Sequence, residues 1–357
     1  VDELESRRRV PWSVGDHRGF DCRVEAIPPA ARGTVRVDDC PVCGVTSAEP
    51  RFSIAGLPYR VVVCDDCGLG RLHPAPSASA VASFYPAEYY GTSGAKFRPA
   101  VEAMVRMVGA RHVRSLAKGL PRGARVLDVG CGRGVLLSAL ADRGFESHGF
   151  EVSETAAEGA DPRARIRIAD DLRYAGYPDA YFDEVILWHV LEHLSDPRGT
   201  LEEIRRILKP GGRLVVSVPN FSSLQARWAG PAWFHLDLPR HLFHFPLSAL
   251  RRLVADCGFE ARSEHHFSLR QNPFGWVQSW LNRNRRLPRN GLYRMLKNGG
   301  GNGRLFDRAA SRRQWVAYYL GMPAALALSV FEAAFRQGAS VCITARAPAN
   351  GRRDRID

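Results

Sequence analysis

The feature that most limits the possible folds is a glycine-rich run at residues 126–134, which read Val-Leu-Asp-Val-Gly-Cys-Gly-Arg-Gly. An apolar strand enters a tight turn here, and a helix is predicted from Val135. Glycines let a ligand approach the backbone closely, and a helix N-terminus supplies free N–H donors. A dinucleotide-binding loop would read G-x-G-x-x-G. This run reads D-x-G-x-G-x-G, and the acid before its first glycine favours a ligand with an ammonium group over a pyrophosphate.

Short β-branched runs alternate with helical patterns from residue 125 onwards, which predicts parallel βαβ units and an α/β fold. The segment 272–337 lies between the last two predicted strands and is too long for a plain connection, so we expect a helical insert or cap there. The predicted strands are Arg125–Cys131, Ser147–Val152, Arg165–Ala169, Asp183–Trp188, Arg213–Val218, Phe259–Phe267 and Ser340–Arg346.

Acidic residues stand at the ends of three successive predicted strands. Asp128 belongs to the first, Glu151 ends the second, and Asp171 with Leu172 follows the third. A carboxylate at a strand tip can accept both hydroxyls of a ribose, and an acid followed by an apolar side chain can hold and cover an adenine. A lone acid at such a place is usually a helix cap, but three in succession predict a nucleoside ligand. Asp170 is the alternative to Asp171.

These motifs resemble those of the class I S-adenosylmethionine (SAM)-dependent methyltransferases over roughly residues 85–348. Residues 182–186 and 191–194 look like that family's fourth strand and following loop, and residues 208–212 look like the turn into its fifth. The resemblance implies a Rossmann-like sheet of seven strands with SAM as the cofactor. It assigns the methionine part of SAM to Asp128, Gly130 and Gly132, the ribose to Glu151, the adenine to Asp171 and Leu172, and a place facing the cofactor to Trp188 and His189.

Two C-x-x-C-G turns precede this core. Their thiols are Cys40, Cys43, Cys64 and Cys67. Each turn directs two sulfurs at one point, and two such turns give the closed tetrahedral thiolate set of a structural zinc site. A redox C-x-x-C pair is the alternative, but the two turns match each other and no thioredoxin-like unit surrounds them. We therefore predict a small zinc ribbon over residues 36–75.

Histidines cluster after the fifth predicted strand, on the side where open α/β sheets bind ligands. Residues 238–245 read Leu-Pro-Arg-His-Leu-Phe-His-Phe. The unperturbed pKa of histidine suits general base work near neutrality, so His241 and His244 are the candidate bases. The alternative is that both side chains cap or pack a helix beginning at Pro246.

Two narrower resemblances bear on the methyl acceptor. The cysteine turns, the Tyr-rich segment 84–90 and the core together look like bacterial methyltransferases of small metabolites, among them nucleotide-sugar C-methyltransferases of antibiotic pathways. Their base chemistry uses a Tyr/Glu/His set; His241 matches the histidine, but Arg240 replaces the glutamate, which predicts an anionic acceptor. The chain also resembles ubiquinone-type O-methyltransferases, some of which bind a divalent metal. Transferred here, its ligands are Glu192 and His193, a pair that also commonly caps the next helix.

Three tyrosines of the segment 84–90 are candidates for a lid over cofactor and acceptor, because tyrosine combines a flat apolar face with a polar tip. They are Tyr85, Tyr89 and Tyr90. Aromatic packing between ribbon and core is the alternative.

A formal net charge of +13 favours an anionic partner. The excess lies mainly in residues 283–313, where a solvated, arginine-rich helical face is the alternative. The leading hypothesis is methylation of a small molecule: a sugar, a natural-product scaffold or a lipid-pathway intermediate. A zinc-ribbon RNA methyltransferase is the second hypothesis, although acidic residues flank the cysteines. A SAM fold repurposed for a non-methylating role is the third.

The remaining patterns set the domain boundaries. We expect a flexible lead-in at residues 1–35. Residues 1–10 are charged and lack the apolar core of an export signal, so we expect a cytoplasmic protein. We expect a linker and helical lid at 76–124, the SAM-binding core at 125–271, the insert at 272–337, and the last strand and tail at 338–357. Within the insert, the apolar stretch Trp315–Phe335 is interrupted by Gly, Pro and Glu. We interpret it as a buried or interface helix, with peripheral membrane contact as the alternative.

Overall fold

The computed structural model describes residues 23–85, 101, 103–104, 107–109, 113, 116, 118–297 and 308–349. Tyr89, Tyr90 and the first 22 residues of the predicted lead-in lie outside this part. In chain order the strands are β1 (Val24–Ala26), β2 (Val35–Arg36), β3 (Ser47–Ile54), β4 (Arg60–Cys64), β5 (Gly70–His73), β6 (Arg125–Val129), β7 (Glu146–Glu151), β8 (Arg165–Ile168), β9 (Phe182–Trp188), β10 (Leu208–Pro219), β11 (Phe243–His244), β12 (Glu260–His265) and β13 (Ser340–Arg346).

Helices flank these strands, with short 3-10 turns between them. The α-helices are α1 (Ala78–Ser83), α2 (Val135–Ala141), α3 (Glu154–Ala157), α4 (Pro197–Ile207), α5 (Leu224–Ala229), α6 (Leu247–Asp256), α7 (Asn272–Arg283), α8 (Gly291–Leu296) and α9 (Arg308–Ala334).

The larger sheet has seven strands in the order β12-β13-β10-β9-β6-β7-β8. Strands β6 to β10 run parallel, whereas β13 runs antiparallel between β10 and β12. Because helices cover both faces of a parallel sheet, its strands read as continuous apolar runs; Val126 and Leu127 are fully buried. All seven predicted strands are present, and the predicted α/β class is confirmed. Only β10 differs much, beginning at Leu208 with an irregularity before Arg213.

A second, antiparallel sheet contains the cysteine turns, in the order β1-β3-β4-β5-β11, with β2 paired to β3. It reaches beyond the predicted ribbon, residues 36–75, at both sides. Residues 23–35, expected to be part of a poorly ordered lead-in, instead supply β1 and β2, because Val24 buries its side chain against Phe52 and Ile54. At the other side, β11 comes from the histidine-rich loop after β10, and pairs with β5.

The insert between β12 and β13 is helical, as predicted, and consists of α7, α8 and α9. The stretch Trp315–Phe335, predicted to be a buried or interface helix, is not buried as a whole. In α9 the 18-residue window of highest mean hydropathy is only 17% buried, and this helix is long and apolar enough to cross a membrane. The sequence pattern misleads because α7 covers only one side of the helix, and the opposite side, which is equally apolar, faces outward.

Candidate active site

The glycine turn after β6 has the conformation that its sequence demands. Gly130, Gly132 and Gly134 have φ angles of 70°, 49° and 67°, in the left-handed region that favours glycine. At Gly130 a Cβ would also lie 2.7 Å from Cγ2 of Val190. The predicted helix begins directly after the turn, at Val135. The free backbone N–H groups of this helix start therefore face the carboxyl edge of the sheet.

Two of the predicted cofactor acids converge on this turn. Asp128 is 6% exposed, and burial, helped by the charge of Glu151, raises its pKa to about 8. Glu151 accepts hydrogen bonds from the backbone N–H of Gly132 at 2.9 Å and of Val152 at 2.8 Å. The two carboxylates thus stand at the ends of neighbouring strands β6 and β7, with the glycine turn beside them.

The third acid has a different environment. Asp171 caps the 3-10 turn Leu172–Tyr174 by accepting from Arg173 N at 2.9 Å, and it pairs with the Arg173 guanidinium at 2.7 Å. This hydrogen-bonded pair lowers the pKa of Asp171. Leu172 is 2% exposed, inside the main core. Asp170, the alternative to Asp171, is exposed at the end of β8.

The end of β9 carries the residues predicted to face the cofactor. His189 has a φ of 55°, which is uncommon for a residue other than glycine. Its Nδ1 lies 3.3 Å from Oε1 of Glu192, and its Nε2 lies 3.3 Å from Oγ of Ser340. Burial lowers its pKa to about 3, so the ring is neutral. The half-buried Trp188 contacts it edge to face, with ring centroids 5.9 Å apart.

His241 is held in one tautomer. Its Nδ1 lies 2.8 Å from the carbonyl oxygen of His235. A carbonyl only accepts, so Nδ1 carries the proton and Nε2 keeps a lone pair. Nε2 lies 4.0 Å from Oε1 of Glu192 and 4.0 Å from Oδ2 of Asp237. Burial, reinforced by the neighbouring His193, lowers the pKa of His241 well below its usual value, so the imidazole is neutral at pH 7.

Glu192 is the most deeply buried acid beside His241. It is 1% exposed, and burial raises its pKa to about 7. Its Oε2 has no hydrogen-bond partner among the described residues. Ligand atoms of Glu192, His193 and His241 all lie within 4.8 Å of one another. A buried carboxylate with an unpaired oxygen beside two imidazoles fits a divalent cation or the hydroxyl of a substrate.

Tyr85 and Arg240 complete one side of the cluster. The Tyr85 hydroxyl lies 2.8 Å from Nδ1 of His193, and this nitrogen lies 3.1 Å from the carbonyl oxygen of Arg240. The Arg240 guanidinium pairs with Asp237. Burial works to raise the pKa of Asp237, but Arg240 outweighs it and holds that pKa well below its ordinary value. Arg240, predicted to bind an anionic acceptor, therefore has an acid of this chain as its partner.

His244, the second candidate base, is bonded to the loop. Its Nε2 lies 3.1 Å from the carbonyl oxygen of Leu236, and it is 3% exposed. Its ring packs on Phe221, with centroids 5.5 Å apart. Since Nε2 donates to Leu236 and β11 pairs with β5, these contacts hold the histidine loop against the N-terminal sheet.

The four thiols of the cysteine turns meet at one point. All lie within 4.8 Å of one another; Cys40 and Cys67 are 3.5 Å apart, and Cys43 and Cys64 are 3.4 Å apart. Tetrahedral zinc with Zn–S bonds of about 2.3 Å would separate its sulfurs by about 3.8 Å. The donor set therefore fits zinc, which these four residues would hold in a closed, structural site.

The comparisons with known proteins agree with this geometry. Residues 104–264 match a methyltransferase domain family. The ubiquinone biosynthesis O-methyltransferase of Cereibacter sphaeroides is 32% identical over 173 residues, which are 43% of this chain and 68% of that protein. The chain belongs to the SAM-dependent methyltransferases. The same-named protein of Psychrobacter arcticus is 34% identical over 122 residues, 32% of this chain and 47% of that protein.

This methyltransferase spans about half the length of several of the curated relatives it matches, for example 47%, 46% and 42%. A solved SAM-dependent methyltransferase from Archaeoglobus fulgidus aligns with a TM-score of 0.43 at 20% identity, covering 68% of this chain and 94% of that one. The matched family region ends before the helical insert and begins after the cysteine turns.

Sequence reasoning missed two members of the histidine cluster. His235 orients His241 through its backbone carbonyl, which no side-chain pattern reveals. Asp237 lies between Arg240 and His241, with a left-handed φ of 34°. An acid four residues before a histidine within one loop was the available signal for Asp237.

Proposed function

We propose that this methyltransferase moves the methyl group of SAM to a small-molecule acceptor, with a hydroxyl as the reacting group and His241 as its base. The observation that carries the proposal is the fixed tautomer of His241, whose unprotonated Nε2 stands beside two carboxylates. SAM supplies an electrophilic methyl group when bound. The residues that would hold it are Asp128, Gly130, Gly132 and Glu151, with Asp170 or Asp171 at the adenine.

Each group of the cluster has a defined task in this proposal. Bound SAM would supply its methyl group to the acceptor oxygen and leave as S-adenosylhomocysteine, and Nε2 of His241 would take the acceptor proton. The imidazolium that forms is stabilised by the carboxylates of Glu192 and Asp237, each 4.0 Å away. The neutral resting state of His241 is the form that a base requires. His241 is only 7% exposed, so the acceptor must enter beside the partly exposed His193, Tyr85 and Arg240.

The choice of a hydroxyl acceptor rests on two supports. The relatives at 32% and 34% identity are named as O-methyltransferases. A hydroxyl also needs a base at the moment of attack more than an amine does. Arg240 is ion-paired within the chain, so an anionic acceptor is not required by the site.

The alternative is that Glu192, His193 and His241 bind a divalent cation, since their ligand atoms lie within 4.8 Å of one another. Such a cation would act as a Lewis acid on the acceptor oxygen, and His241 would then be a ligand rather than a base.

The experiment is transfer of labelled methyl from SAM to a panel of phenols, catechols and sugar hydroxyls, paired with calorimetric binding of SAM. Methylation of one acceptor class that His241→Gln abolishes, with SAM affinity retained, supports the proposal. Absence of SAM binding by folded protein overturns it. Loss of turnover in chelator, restored by magnesium or manganese while bound zinc stays constant, selects the metal alternative over the base.

A further inference from the structure

Helix α9 buries several polar side chains and exposes many of its large apolar ones. Gln314, Ser329 and Glu332 are 1%, 0% and 0% exposed. Tyr319 and Leu320, by contrast, are 68% and 77% exposed. A surface helix of a globular protein has the opposite pattern, with its apolar stripe facing the core. We therefore expect a binding partner to cover the outward face of α9.

The outward face is continuous along the helix. Between residues 314 and 335 the one charged residue is Glu332, which is buried. Exposed apolar surface of this extent, rimmed by polar residues, marks an interaction site. The large side chains of the face recur at helical spacing, and are Val316, Tyr319, Leu320, Leu328, Phe331 and Phe335.

Both ends of α9 are fixed to the same domain. Near its start, the Gln314 side chain packs closely on Gly291. Its Oε1 lies 2.6 Å from the position that a Cβ on Gly291 would occupy. Just after its end, the carbonyl oxygen of Gln337 accepts from Leu224 N at 3.1 Å. Helix α7 packs along its inner side. A helix held along its length in this way can lie in the plane of a membrane interface, but it cannot cross the bilayer without leaving the domain.

Basic side chains stand at both ends of the apolar face. Arg312 and Arg313 are exposed before it, and Arg336 is exposed after it. The rings of Trp315 and Tyr319 stack at the first end, 5.8 Å apart with an angle of 22°. Arginine and amphipathic aromatic rings around an apolar helix face match an interface of anionic headgroups.

A second copy of the chain fits this face less well. In an antiparallel pair of α9 helices, Arg312 and Arg313 of one copy would face Arg336 of the other. In a parallel pair, each arginine would face its own counterpart. Like charges in contact oppose association. Anionic phosphates, in contrast, complement both ends at once.

We propose that α9 docks flat on an anionic lipid bilayer, with its apolar face at the acyl-chain boundary and its flanking arginines on lipid phosphates. The helix leads into β13, which begins at Ser340. Oγ of Ser340 lies 3.3 Å from Nε2 of His189. Docking would therefore bring the carboxyl edge of the sheet close to the membrane. Docking itself does not depend on the reaction that the site performs.

The test is flotation of the full chain with phosphatidylcholine vesicles, with and without phosphatidylglycerol. We expect binding to the anionic vesicles and its weakening by salt. Leu320→Glu should reduce the partition coefficient about tenfold or more, because a leucine that docking would bury in the bilayer is replaced by a charge. The double variant R312Q/R313Q should reduce binding to anionic vesicles about 20- to 30-fold, at about 1 kcal/mol per arginine.

Ile168→Glu is the matched control, because Ile168 is an exposed apolar residue (40%) on β8, the opposite edge strand of the sheet. It should bind vesicles like the parent chain, and all variants should keep the parent melting temperature. Failure of the parent chain to bind anionic vesicles overturns the proposal, as does undiminished binding by Leu320→Glu. A dimer that Leu320→Glu converts to a monomer, with no vesicle binding, assigns the face to a second copy instead.

Discussion

The backbone N–H of Leu72 donates to the carbonyl oxygen of Leu242 at 3.0 Å. This bond joins β5 of the cysteine-turn sheet to the loop that carries His241. The N–H of Leu242 in turn donates to the carbonyl oxygen of Glu192 at 2.9 Å. The histidine loop is thus held between the N-terminal sheet and the loop after β9, and the cysteine turns belong to the scaffold of the candidate site.

Removing one of the four candidate zinc ligands should therefore affect the candidate active site. We expect Cys43→Ser to lower the bound zinc and also the methyl-transfer rate, because an unfolded ribbon no longer supports β5 and its partner β11. Metal content and turnover, measured on the same samples, check this. Cys342→Ser is the control, since Cys342 lies in β13, away from the cysteine turns. This variant should bind as much zinc as the parent chain. Full turnover in zinc-free protein would show that the two parts are uncoupled.

Gly70 is closely packed against β11. A Cβ there would lie 3.0 Å from Cβ of His244 and 3.2 Å from Cε1 of Phe221. We expect Gly70→Ala to shift β11, destabilise the protein by about 1–3 kcal/mol and reduce turnover, with zinc retained. Gly33→Ala is the matched control, because nothing lies within 4 Å of its Cβ position. Chemical denaturation and steady-state kinetics check both variants; equal behaviour of the two would mean that β11 adapts without cost.

Substitutions of His241 and His244 should have different effects, the first on turnover and the second on stability. We expect His241→Gln to lower kcat about 100-fold or more with SAM affinity unchanged, because a base contributes about 10²–10⁴-fold. His244→Gln should mainly lower stability, because its Nε2 bonds the Leu236 carbonyl. Kinetics and thermal melts on both variants provide the measurement. A normal kcat in the His241 variant would mean that His241 packs the loop and is not the base.

The predictable parts of the fold are those that local patterns determine. The parallel strands read as apolar runs, and the glycine turn and C-x-x-C-G turns require specific residues at fixed spacing. The histidine cluster is different, because Glu192 and His241 are brought together by contacts between distant segments. These are the pairing of β11 with β5 and the hydrogen bond from Leu242 N to the carbonyl oxygen of Glu192. The sequence also left open whether α9 is a buried or an interface helix, since an apolar run has the same composition whether a neighbouring element or a partner covers it. Asp171 shows a third limit: Arg173, two positions further along the chain, pairs with its carboxylate locally.

Binding of SAM should release a proton through Asp128. Burial raises the pKa of this carboxyl to about 8, so at pH 7 it is mostly protonated in the free protein. The ammonium group of SAM favours the ionised form, and binding must therefore expel the proton. We expect close to one proton released per SAM at pH 7, and an affinity that rises with pH until the SAM amine itself loses its charge near pH 8.

Calorimetry in buffers of different ionisation enthalpy measures this release. Asp128→Asn should abolish it and weaken SAM binding by about 1–3 kcal/mol, the worth of a charge-assisted hydrogen bond. Asp171→Asn is the control, because Arg173 already lowers the pKa of Asp171 and its carboxyl is ionised before SAM arrives. That variant should release the same proton as the parent chain. Proton release that persists in Asp128→Asn would assign the titrating group elsewhere and remove Asp128 from the ammonium site.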